Sequence, residues 1–274
     1  MSTAVSTDTT ADLQPSPAQA WWRACHYEIR HLAALRSTWI LAAIITLVAL
    51  WVPLAAPFII ESSKDTTDPA LVDSVQWTPA LMQIPSLAIY LLVLGTGPVS
   101  TELMRGASRT TWLTAASRSY AFWAKCAVGA MIGVLVSALT SLLEIGGLTI
   151  VAVAKGVHPP LWADLVEAAA RLELWMACWM LLCTSVSALI RNRVGPILVL
   201  LLVPPLGERT LGILSGKIPG IHLDKVADWL PFAAGQQMLS ADTAQGALLG
   251  GVIFVVFTAV VATAGHAVYM RRAG

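Results

Sequence analysis

The chain has 274 residues, 57% of them hydrophobic and 12% charged, with a mean hydropathy of +0.71 and a net charge of +1. A soluble domain carries about 25% charged residues, so this composition excludes an ordinary soluble enzyme. The near-zero net charge gives no electrostatic case for binding nucleic acid. Apolar runs longer than about 18 residues identify an all-α membrane protein with several spans.

Residues 1–17 are rich in Ser, Thr, Asp and Pro and are expected to be a disordered tail. No basic start followed by an apolar core is present there, so the tail is not a signal peptide. Residues 18–36 differ. Trp22, Cys25, Ile29 and Leu32 recur at helical spacing, and Arg23, His26 and Arg30 recur on another face. This predicts an amphipathic helix too charged to span and suited to a membrane surface. Residues 37–274 form the spanning domain. Six spans are expected, at about 39–60, 79–100, 121–154, 166–190, 194–214 and 246–270. The third exceeds one crossing and is expected to tilt or project.

Between spans two and three lies a polar island, Thr101–Lys125, with Arg105, Arg109, Arg118 and Lys125 against Glu102. Its middle, 107–116, lacks Pro and Gly and can form about three helical turns. The loop 61–77 holds Glu61, Asp65, Asp68 and Asp73 against Lys64, and 215–245 is a long segment broken by Gly and Pro. Placing both termini inside puts eleven basic residues on the inner side: Arg23, Arg30, Arg36, Arg105, Arg109, Arg118, Lys125, Arg191, Arg193, Arg271 and Arg272. Five fall outside: Lys64, Lys155, Arg209, Lys217 and Lys225. The positive-inside bias supports this topology. Trp39 and Trp123 then lie at inner ends, and Trp77, Trp162 and Trp229 at outer ends, as an aromatic belt requires.

The order Glu102, Gly106, Arg109-Thr110-Thr111, Leu113, Arg118 and Lys125 resembles bacterial ABC-2 type transporter permeases. Ala107 stands where the family commonly has Thr, and Ala116-Ser117 where it commonly has Pro. The turn Ser187–Gly195 and the stretch Asp228-Trp-Leu-Pro-Phe-Ala-Ala-Gly235 are similar to the family's later motifs. The resemblance implies an elbow helix at 18–36, with Trp22, Arg23 and Arg30 at the interface. It implies a cytoplasmic coupling helix between spans two and three, with Glu102, Arg105, Arg109, Thr111, Trp112 and Arg118 serving ATPase coupling. It also implies short re-entrant helices before span six.

The function so implied is the permease subunit of an ABC transporter in the bacterial cytoplasmic membrane, with both termini cytoplasmic. The chain would not be an enzyme and would bind no cofactor. Two ABC ATPase subunits would carry ATP and Mg, and a second permease copy or paralogue would complete the membrane pair. The substrate to be exported would be amphiphilic, peptide, drug or lipid-like. Membrane lipids are the remaining expected partners. The alternative is a non-transporting immunity or regulatory protein that binds a peptide through its outer loops.

Other motifs carry less. Gly212–Ile218 resembles a P-loop, but it is one residue short, and Ile218 replaces the Ser or Thr that would bind Mg. Glu167 and Arg171 resemble half of an intramembrane protease motif, yet an i,i+4 ion pair explains them more simply. The five histidines show no metal-ligand spacing, and the four cysteines read as packing residues. Glu144, deep in the third span, is the candidate pathway residue, because a carboxylate at that depth is costly and faces a cavity or a partner.

Overall fold

The structure is a computed structural model. The structure describes residues 16–62, 84–105, 117–154, 162–190, 192–208, 210, 229–240 and 244–272, and among these it contains helices and no strand. Helix α1 spans Pro17–Ala34 and α2 spans Arg36–Ser62. Next come α3, Ser86–Arg105, α4, Arg118–Ala154, and α5, Trp162–Leu189. Helix α6, Gly195–Leu202, runs on into a wider π turn at Val203–Glu208. Last are α7, Pro231–Ser240, and α8, Ala244–Arg272.

Five of these, α2, α3, α4, α5 and α8, are long and apolar enough to cross a membrane. In lipid each backbone polar group needs an internal partner, and a long apolar run meets that demand as helix. The expected fifth span, 194–214, is described as helix over Gly195–Glu208, about 21 Å at 1.5 Å per residue. Pro204 and Pro205 explain the π turn, since neither can donate to the helical ladder. Helix α4 has 37 residues and reaches about 55 Å, well beyond the ~30 Å hydrocarbon layer. The outer loop expected at 155–165 ends early, because α5 already starts at Trp162.

Helix α1 starts where its sequence directs. Ser16 Oγ accepts from the Gln19 N–H and Gln19 Oε1 accepts from the Ser16 N–H, both at 3.3 Å, with Pro17 in the first turn. It stops at Leu35, whose extended backbone turns the chain into α2. The Trp39 indole N–H then donates to the Ala33 carbonyl at 2.9 Å and straps this elbow. The buried face of α1 is Ala20, Ala24, Cys25, Glu28 and Leu32. Trp22 and Ile29, grouped with Cys25 and Leu32 by spacing, lie outside that face, and Trp22 is 68% exposed. The reason is that the helix packs one side on α4 and leaves the other for its surroundings.

Helix α5 is the centre, packed by α3, α4, α6, α7 and α8. Trp175 and Trp179 are fully buried, and Trp175 stacks on Trp179 and Phe254 with ring centroids 5.2 and 5.3 Å apart. Without a hydrophobic drive between helices in lipid, close approach over small residues provides the packing. A Cβ on Gly133 would stand 2.9 Å from the Met176 carbonyl, so α4 and α5 meet backbone to backbone there. Gly147 lets α4 close on the ring of Pro53 on α2.

Candidate functional site

The most unusual chemistry lies where α1, α3 and α4 meet. Lys125, about two turns into α4, is 7% exposed. Its ammonium donates to Glu28 Oε1 on α1 and lies 3.0 Å from Glu102 Oε2 on α3. Glu28 and Glu102 are 3% and 7% exposed. Glu102 Oε1 has no hydrogen-bond partner among the described residues. Two carboxyl groups thus face one ammonium in a buried site. Charge at this depth is costly unless it is paired, and the pairing ties three helices at one point. Beside it, burial and the Glu28 carboxylate push the Cys25 thiol above its usual range.

Of the four cations that share the polar island with Glu102, the one beside it among the described residues is Lys125. Arg105 closes α3, Arg118 opens α4 and is half-buried, and Arg23 and Arg30 on α1 are exposed. Arg109, Thr111 and Trp112, with the rest of 106–116, lie outside the described residues. The triad therefore fastens α1 to the two helices that bracket that segment. Glu28 was absent from the expected site. The signal for it was in the chain: Lys125 sits in a long apolar helix and requires an acid from elsewhere.

The same end of the bundle gathers the other cations. The Ser119 hydroxyl and His266 Nε2 share a hydrogen bond of 3.1 Å, joining the start of α4 to the end of α8. Phe122, Trp123 and Tyr269 pack around that contact. Arg271 and Arg272 close α8 there, and Arg193 precedes α6. A groove of about 260 Å³ opens between the elbow, α3 and Arg193.

The opposite end is acidic among the described residues, with Asp164, Glu167, Glu173 and Glu208 against Arg171. Arg171 pairs with Glu167 one turn away, as the spacing predicts. Glu208, 5% exposed, ends the π turn and accepts from the N–H groups of Phe232 at 3.1 Å and Ala233 at 2.7 Å. It thus caps α7 from 24 residues away. Gly235 gives α7 the room to lie on Trp175 and Phe254. Glu144 is half-buried on α4, and its Oε2 has no hydrogen-bond partner among the described residues. The four cysteines are free and buried. No group of His, Cys, Asp or Glu among the described residues could hold a metal ion.

Comparison with family models, with curated proteins and with solved structures returns no match for this chain.

Proposed function

We propose that the chain is the membrane subunit of an ABC-2 type exporter, working with two separate ATPase subunits and a second permease copy or paralogue. The observation that carries this reading is the Glu28–Lys125–Glu102 triad, which fastens α1 to both helices flanking 106–116. In this reading the cation-rich end faces the cytoplasm, as the positive-inside bias favours. Helix α1 is the elbow helix in the inner leaflet, and 107–116 is the coupling helix seated on an ATPase. The 194–214 segment completes six spans, and α7 is a re-entrant helix before the last of them.

Mechanically, a push on the coupling segment is delivered to α3 and α4 together. These helices carry it to α5, on which both pack. ATP binding then favours one arrangement of the permease pair by its differential affinity for the two states, and the substrate does likewise. Glu144, with its unpartnered carboxylate oxygen on α4, is the candidate pathway group.

The test is co-purification from native membranes in mild detergent, with ATPase and transport assays of Arg109→Glu/Trp112→Glu. An ATPase that co-purifies with the wild type and loses binding or coupling in the variant supports the reading. A clean preparation of the chain without nucleotide hydrolysis overturns it and favours the immunity or regulatory alternative. Unchanged transport by a fully assembled variant complex removes 107–116 as the coupling element.

A further inference from the structure

The groove beside the elbow is built as an amphiphile site. Its polar donors are His31 at the end of α1, Ser37 at the start of α2, Thr101 on α3 and Arg193 before α6. Among the described residues no carboxylate lines it. Thr96 and Ser100 also border it, but their hydroxyls donate back to the carbonyls of Leu92 and Thr96 at 2.8 Å. The rest of the wall is apolar, including Leu35, Leu41, Val93 and Ile197.

The polar and apolar parts are separated by depth. Along α2 the lining passes from Ser37 to Leu41, about 6 Å further from the elbow. Along α3, which runs the other way, it passes from Thr101 to Val93, about 12 Å. Cations and hydroxyls therefore stand at the end of the bundle that carries α1, and apolar side chains extend from them toward the middle. That gradient matches a lipid with an anionic headgroup and hydrocarbon tails. Charge complementarity selects the headgroup, since Arg193 and His31 line the groove and, among the described residues, no acid lines it with them.

Gly97 opens the space. It lines the groove, and a Cβ built on it meets nothing within 4 Å. A side chain added there starts into open space and would extend into the groove. In a helix interior it also replaces the weakest helix former other than proline.

We propose that this groove holds one anionic glycerophospholipid, its phosphate at Arg193 and His31 and an acyl chain along Leu41 and Val93. The lipid would weld the elbow to α3 and to the start of α6, next to the charge triad but separate from it. The proposal does not rest on the transport reading, because its readout is lipid binding by the full chain.

The experiment is native mass spectrometry of the delipidated full chain in detergent, titrated with phosphatidylglycerol or with phosphatidylcholine of the same acyl chains. One phosphatidylglycerol should be retained, at least about fivefold more tightly than phosphatidylcholine, the factor expected for one basic side chain. Arg193→Ala should weaken it about fivefold. Gly97→Trp, which changes no charge, should abolish it, and Gly97→Ala should retain it. Inorganic phosphate at millimolar concentration should not displace it. Equal retention of the two lipids, or unchanged binding in both Arg193→Ala and Gly97→Trp, overturns the proposal. Displacement by phosphate alone also overturns it, in favour of a free-anion site. Arg193→Ala is an exposed substitution, so the charge arm is read even if Gly97→Trp fails to fold.

Discussion

Replacing Lys125 with Met should be far more damaging than replacing either of its partners with Gln. The side chains of Lys125, Glu28 and Glu102 are 5%, 3% and 7% exposed. Lys125→Met leaves two carboxylates in one buried site with no cation among the described residues. Breaking a buried pair by removing one member costs about 3–5 kcal/mol, a large part of a typical stability of about 5–15 kcal/mol. Glu28→Gln keeps a one-to-one pair between Lys125 and Glu102 and offers an amide oxygen to the ammonium, so the expected loss is under about 1 kcal/mol. Lys125→Met with Glu28→Gln and Glu102→Gln removes all charge from the site and should recover more than about 2 kcal/mol of the single-variant loss. Denaturant unfolding of the full chain in detergent would measure these differences. Tryptophan fluorescence is a suitable signal, since Trp175 and Trp179 are fully buried. Equal losses for Lys125→Met and Glu28→Gln, or no recovery in the triple variant, would refute the argument.

The adjacent glycines on α4 make an internal control. Gly147→Leu would drive a side chain into Pro53, whereas one at Gly146 meets nothing within 4 Å. The first should cost about 1–3 kcal/mol or more and the second should be close to neutral, as read by thermal unfolding in detergent. Glu208→Ala should free the first turn of α7, at a cost of about 2 kcal/mol for two charge-assisted hydrogen bonds. Amide exchange at Phe232 and Ala233 should rise selectively, and unchanged exchange there would show that the cap does not act.

Much of the architecture was legible because lipid leaves the backbone few choices. The long apolar runs of α2, α4, α5 and α8 could satisfy their own polar groups only as helices. The first helix was legible from the apolar and charged spacing of 18–36, but its start was not: Ser16 and Pro17, read as part of the tail, cap and open it. Its orientation was less legible. The helix has apolar side chains on more than one face, so spacing alone grouped Trp22 with Cys25 although only Cys25 is buried. Of the candidate site, Glu102 was visible as a lone acid in a basic loop, but its partner was not. Glu28 reads as one more charge on an amphipathic helix, and 97 residues separate it from Lys125. Pairings across such distances follow from how helices cross, which no local pattern encodes. Glu208 was missed for the same reason.

The triad also sets an order of assembly. Glu102 is synthesised 23 residues before Lys125, and Glu28 precedes it by 97. At about 5–20 residues per second, the second acid waits roughly 1–5 s for its counterion and the first roughly 5–20 s. Until Lys125 arrives, neither carboxylate can leave water at low cost. Helix α1 must therefore wait as a separate unit, and α3 cannot settle fully before α4 packs beside it. The bundle is locked at this end by its fourth helix rather than built in strict succession, and a chain truncated before residue 125 would leave the translating ribosome with two acids that have no place in the membrane.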